Sequence, residues 1–192
     1  MSFLPPPETS PEAQRLFDED VAELGYVMNT SRLWAYRPET LAGLSGLLRE
    51  IADTHGFTRR RRGILVTACA SALGDSYCSL AWGLRLAEET GPGTAAGVLG
   101  GDDEGLTEDE RVMAAWARKV ARDPNSTGEA DVAALREAGF GDTEIFAMTA
   151  FVALRVAFST VNDALGARPD AALRSTAPRE VLDAVTYGRP IE

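Results

Sequence analysis

The chain has 192 residues, 45% hydrophobic and 25% charged, with 18 glycines and 10 prolines. That length and mix suit one globular domain over 1–192 and exclude a disordered, collagenous or coiled-coil chain. Nineteen basic against 29 acidic side chains leave a formal charge of −10, a field that repels phosphate backbones and anionic headgroups, so neither nucleic acid nor a membrane is an expected partner.

Helical periodicity and caps recur along the chain, and no run of alternating β-branched residues is bounded by hairpin turns, so the expected fold class is all-α. Ser10 before Pro11 is a cap-and-first-turn signal, after which Ala13, Leu16, Phe17, Val21 and Leu24 share one face until Gly25. A short second helix is expected over 29–36, before Pro38. Leu41, Leu44, Leu47, Leu48 and Ile51 stripe a third that closes at Gly56.

From Arg59 to Leu73 the residues are small or apolar on every side after a basic start, the pattern of a central helix enclosed by neighbours. Gly74-Asp75-Ser76 interrupts it, and a helix over about 77–89 follows, with Asp75 or Ser76 as its cap. The glycine- and acid-rich stretch 91–105 reads as a connection with one short helical turn. Thr107 with Glu110 forms a capping box for a helix carrying Val112, Met113, Trp116 and Val120, which stops before Pro124. A brief helix over 129–138 ends at Gly139. Asp142 is the expected cap of a long buried helix ending at Gly166, and a last helix is expected over about 176–187. The apolar stretch from Ile145 to Leu165 is broken by Thr149, Arg155, Ser159, Thr160, Asn162 and Asp163, which are costly in a bilayer, so it reads as a core helix.

Two cysteines, Cys69 and Cys78, are too few for a disulfide scaffold, and the start from Met1 to Pro7 lacks the regions of a signal peptide. The expected location is therefore the cytoplasm. Cys78 falls in a first helical turn, where orphan backbone N–H groups and the dipole favour a thiolate that attacks peroxides or disulfides. The competing reading is a small buried hydrophobe. His55 is the only histidine, so no metal site and no cofactor is expected, and its place at a helix end suits a cap. The run Arg59 to Arg62 is a solvated face held by acidic neighbours, or a subunit contact. Asn162 and Asp163, inside a buried helix, need hydrogen-bond partners.

The segment Arg59-Arg60-Arg61-Arg62-Gly63-Ile64-Leu65-Val66, followed by Leu73-Gly74-Asp75-Ser76-Tyr77-Cys78, resembles the core of the alkylhydroperoxidase D-like and carboxymuconolactone decarboxylase family. The usual form there is R-E-[LI]-[VA], then N-G-C-x-[YH]-C-x-x-x-H. Leu106 to Glu110, Asp123-Pro124, Glu129 to Leu135, Ala138 to Phe140, Asp142 to Ile145 and Val161 to Gly166 continue the likeness in the same order. It covers roughly 25–169, leaving 1–24 as an extension.

The resemblance implies an alkylhydroperoxidase D-like helical bundle, assembled as a homo-oligomer (dimer, trimer or hexamer). It also implies thiol-dependent peroxidase chemistry restored by an external thiol. Family peroxidases use a cysteine pair, a glutamate and a histidine in a proton relay. Cys78 falls on the peroxide-reactive cysteine, but Asp75 holds the first-cysteine position, Trp82 the histidine position and Gly63 the glutamate position. Asp75 cannot resolve a sulfenic acid as a disulfide, and it reads as a base or as a plain helix cap. Tyr77 fits the position before the cysteine and is a candidate hydrogen-bond donor. Trp82, one turn after Cys78, is either packing or the wall of an apolar pocket. Cys69 lies more than a helical turn before the break, which disfavours its pairing with Cys78. With the relay changed at three positions, a binding or structural oligomer is the alternative function, and a carboxymuconolactone decarboxylase-like lyase a further one.

Overall fold

The computed structural model describes residues 2–192, and these form eleven α-helices, one 3-10 turn and no strand. Ser10 caps α1 (Pro11–Leu24) by accepting from the Ala13 N–H at 3.1 Å, and Gly25 ends it at φ 82°, both where the sequence signals them. The α1 face is only partly used. Ala13 is buried, but Val21 and Leu24 are exposed while Asp20 is buried, accepting from the Met28 N–H at 2.9 Å. Helix α2 (Asn29–Trp34) is short, and α3 (Pro38–Thr54) carries its leucine stripe half-buried, with Leu47 exposed.

Helix α4 (Arg59–Leu73) is the centre of the molecule. Every residue from Gly63 to Ala70 is buried, as uniformly small and apolar sequence requires when a helix has neighbours all round. It packs against α5 (Ser76–Thr90), α7 (Glu108–Arg122) and α9 (Asp142–Ala164). Gly63 sits where α4 meets α5: a Cβ there would lie 3.2 Å from Leu86 Cδ1, so the close approach of the two helices depends on its absence. Three of the four arginines at the α4 start are held by this chain's own acids. Arg59 pairs with Glu88, Arg60 with Glu110 at 2.5 Å, and Arg61 with Asp109 at 3.7 Å.

Three expectations need correction. The stretch 91–105 holds a nine-residue helix, α6 (Pro92–Gly100), because Ala95, Val98 and Leu99 have a core to enter against α4 and α5, which outweighs the glycines around them. Asp142 is the first residue of α9, after α8 (Glu129–Glu137). The cap is Gly141, whose N–H donates to the Glu144 carboxylate at 3.0 Å. The final helix is replaced by two short ones, α10 (Leu173–Thr176) and α11 (Arg179–Ala184), and then by an irregular tail over 185–192 that bends at 187–189.

Helix α9 is long and apolar enough to cross a membrane by length and composition. In the fold it packs one face on α3, α4 and α7, burying Ile145, Met148, Phe151 and Val152, and it shows Phe146 on the other.

Candidate functional site

The site forms where the central helix breaks. Gly74 ends α4 at φ 74°, and Asp75 then starts α5 by accepting from the Cys78 N–H at 2.9 Å. The cap reading of Asp75 is therefore what the structure shows, and the cap fixes Cys78 in the first turn of α5. Asp75 is fully buried, and its second carboxylate oxygen, Oδ2, has no hydrogen-bond partner.

Cys78 is 2% exposed, yet its surroundings are not hydrocarbon. The Arg155 guanidinium, reaching across from α9, donates from Nη2 to Sγ at 3.2 Å. Arg155 is itself buried, with its guanidinium carbon 5.5 Å from the Trp82 ring centre and 4.8 Å from that of Phe158. The Phe158 ring stacks on Trp34 at 5.6 Å, and Trp34 Nε1 donates to Asn162 Oδ1 at 2.9 Å. Trp82 is thus both packing and a wall of the site, one face of a cation sandwich.

Burial pushes the Cys78 thiol well above its ordinary range, and the neighbouring Asp75 carboxylate pushes it further; Arg155 and a hydrogen bond with Ser159 act in the opposite direction. Cys69 is also free and buried. Burial raises its thiol to about 12, and Arg155 and Asp75 act on it as they do on Cys78.

Tyr77 does not serve the sulfur. Its hydroxyl donates to Asp170 Oδ2 and accepts from Thr30 Oγ1 at 3.1 Å, while the Asn29 N–H donates to Asp170 Oδ1 at 2.7 Å. It ties α5 to α2 and to the loop after α9. Burial, then the Asp170 charge, pushes its phenol up. His55 ends α3 and lies 6.2 Å from the Phe57 ring, away from these contacts.

Cys78, Asp75 and Trp82, which the sequence singles out, lie together in the structure, and Arg155, Ser159 and Asp163 on α9 are residues that the sequence marks only as breaks in an apolar stretch. These three fall at i, i+4 and i+8 of α9, one face of an otherwise apolar helix. The signal was present in the very residues that break the apolar stretch. Among the described residues no group of three or more His, Cys, Asp or Glu side chains is placed to hold a metal ion.

A cleft of about 250 Å³ lies under the C-terminal tail, on the Ser76 and Leu80 side of α5. Neither Cys78 nor Trp82 lines this cleft.

No protein-family model matches the chain, and no curated protein matches it closely. Solved structures do. An alkylhydroperoxidase AhpD-core, peroxidase-related protein of Ralstonia eutropha JMP134 superposes with a TM-score of 0.77 at 26% identity, over 90% of this chain and 94% of its own. A peroxidase-related protein of Silicibacter sp. TM1040 gives 0.79 at 21% identity, over 91% and 95%. The debrominase Bmp8, in a cysteine-to-alanine variant bound to 2,3,4-tribromopyrrole, gives 0.70 at 18% identity, over 91% of each chain. The chain has the all-α alkylhydroperoxidase D-like fold of these peroxidase-related proteins.

Proposed function

We propose that the protein reduces organic hydroperoxides through Cys78 as its single reacting sulfur, with an external thiol as reductant. The observation that carries this reading is the hydrogen bond from Arg155 to Sγ. A buried guanidinium is expensive, and proteins keep one where it is paired or where it stabilises charge that develops in a reaction. Among the described residues Arg155 makes no salt bridge with a carboxylate, and the sulfur is its hydrogen-bond partner.

In the proposed reaction the Cys78 thiolate attacks the distal hydroperoxide oxygen. The S–O bond forms as the O–O bond breaks, and the leaving alkoxide takes a proton to become the alcohol. The resulting sulfenic acid condenses with one external thiol, releasing water, and a second external thiol displaces Cys78 from that mixed disulfide. External thiols are required because Asp75 stands where a resolving cysteine would. The buried sulfur has to become accessible to the hydroperoxide before each turnover. The test is consumption of cumene hydroperoxide in the presence of dithiothreitol. Loss of consumption in Cys78→Ser is the expected result, and equal rates in the two proteins end the reading.

A homo-oligomer, dimer, trimer or hexamer, working in the cytoplasm, is part of the proposal. It is supported by the half-buried α3 stripe and by exposed Val21, Leu24 and Leu47, which a neighbouring copy would cover. Sedimentation equilibrium tests it, and a monomer at micromolar concentration removes it. The burial of Cys78 favours a second reading, a binding or structural oligomer whose cysteine is inert. Rapid stoichiometric labelling of Cys78 at neutral pH excludes that alternative.

A further inference from the structure

Helix α5 begins inside the protein: every residue from Asp75 to Leu80 is buried, and this turn carries Cys78. Arg155 of α9 meets the sulfur from one side. Ser76, two residues before the cysteine, points to the opposite side of the helix, and there the turn is gripped by the C-terminal tail. The tail is unlike the helices around it. None of residues 182–192 is buried, and those past 184 belong to no helix. Val185 and Ile191 pack half-buried against the core, and polar contacts hold the rest.

Those contacts converge on the first turn of α5. The Arg189 N–H donates to Ser76 Oγ at 2.9 Å, the Ser76 hydroxyl donates to the Arg189 carbonyl at 2.8 Å, and the Tyr187 hydroxyl donates to Ser79 Oγ at 3.0 Å. Gly188, at φ 72°, passes so near that a Cβ would lie 2.6 Å from the Gly74 carbonyl oxygen and 2.7 Å from Ser76 Oγ, so the tail seats here only with glycine. The same segment then reaches the last turn of α9. Arg189 donates from Nη2 to the Asp163 carbonyl at 2.8 Å, and its guanidinium carbon lies 4.6 Å from the Phe3 ring centre. The tail thus ties the start of α5 to the end of α9, the two helices joined at the hydrogen bond from Arg155 to Cys78. The cleft of about 250 Å³ between the tail and the Ser76 and Leu80 side of α5 leaves the tail unsupported along part of its length.

We propose that residues 186–192 form a releasable strap that regulates access to Cys78: seated, they clamp the first turn of α5 in place, and their release frees that turn and admits reagents to the sulfur. A surface segment with no buried residue opens at lower free energy than the core helices beneath it. The sulfur is therefore reached by letting go of the tail, with α4 intact. Ser76, Tyr187, Gly188 and Arg189 touch no reacting atom and act through the position of the turn.

The inference rests on the proposed reactivity of Cys78, and its test is chosen so that the two fail separately. Alkylation of Cys78 by iodoacetamide is measured at pH 8 in a Cys69→Ser background, with no hydroperoxide present, in the full chain and in a chain ending at Val185. The shortened chain should react about tenfold faster, the ratio given by about 1.4 kcal/mol of lost restraint, with its helical circular dichroism retained. Gly188→Ala, whose Cβ unseats the tail, and Phe3→Ala, which removes an exposed ring from Arg189, should change the rate in the same direction. In the unaltered protein the Arg189 and Glu192 amides, bonded to Ser76 Oγ and the Pro169 carbonyl, should exchange with deuterium faster than those of 63–70 in α4. A shortened chain that reacts no faster than the parent overturns the strap. If that chain does not fold, Gly188→Ala and Phe3→Ala rates equal to the parent overturn it, as do tail amides that exchange as slowly as those of α4. Hydroperoxide consumption unaffected by Cys78→Ser ends the peroxidase reading and leaves the strap standing, because neither readout uses a hydroperoxide.

Discussion

Replacing Arg155 by methionine tests the reacting-sulfur reading most directly. The change keeps a long unbranched side chain between Trp82 and Phe158 and removes the charge and the donor to Sγ. Two unit charges 3.2 Å apart attract by about 5 kcal/mol at an effective dielectric of about 20. The guanidinium spreads its charge over three nitrogens, and hydrogen bonds to charged groups are worth about 1.5–3 kcal/mol. Taking about 2.5 kcal/mol as the loss, the thiol rises by nearly 2 pH units and its thiolate fraction falls by roughly 70-fold. The assay is the second-order rate of Cys78 alkylation at pH 8 in a Cys69→Ser background, with far-UV circular dichroism to confirm the fold. Arg155→Lys retains a cation without the planar fork and should fall between the two. An alkylation rate in Arg155→Met within twofold of the parent refutes the claim that the guanidinium acts on the sulfur.

Two further expectations concern the frame around the site. A Cβ on Gly83 would lie 2.9 Å from Val181 Cγ1 and 3.1 Å from Leu99 Cδ1. Gly83→Ala should therefore destabilise by about 1–2 kcal/mol, overpacking outweighing the better helix propensity, and should lower the melting temperature by about 3–6 °C; an unchanged or raised melting point contradicts this. Glu110, bridged to Arg60, has its carboxyl lowered to about 2. A depressed carboxyl contributes stability that is complete above its unfolded value of about 4.5 and is lost as pH falls through about 2, here about 1–2 kcal/mol after allowing for the partly exposed arginine. Urea unfolding should separate parent from Glu110→Gln at pH 6 and bring them together near pH 2; a constant gap across that range counts against the bridge.

The legible part of this fold is the part governed by local chemistry. Ser10 and Asp75 are side-chain caps and sit where they cap, and the enclosed α4 follows from its own composition. Helix α6 was not legible, because its glycines are overridden by burial of Ala95, Val98 and Leu99 against α4 and α5, a tertiary effect. The same distinction divides the site. Cys78 and Asp75 lie three residues apart, and one cap joins them. Arg155 reaches Sγ from 77 residues away, and Tyr77 spends its hydroxyl on Asp170, 93 residues away. Local reasoning has no purchase on either pairing. The legible trace was the polar spacing in α9, which argues against a bilayer and, with the helix packed on α4, also marks the face from which Arg155 reaches the sulfur.

The residues at 63, 75 and 82 are linked through the space and charge around the sulfur. With glycine at 63, α5 can lie against α4 closely enough for Leu86 to occupy the space a longer side chain would need. Trp82, in the place of a histidine, takes no part in proton transfer, but its ring is one of the two surfaces that hold Arg155. Asp75, in the place of a cysteine, caps the helix that carries the sulfur and sets a negative charge beside it. The positive charge of Arg155 and the negative charge of Asp75 act on both buried sulfurs in opposite senses. A histidine restored at 82 would displace a face of the arginine sandwich, and a glutamate restored at 63 would bring its Cβ against Leu86. Neither group fits here by itself, because the space it requires is used by another residue.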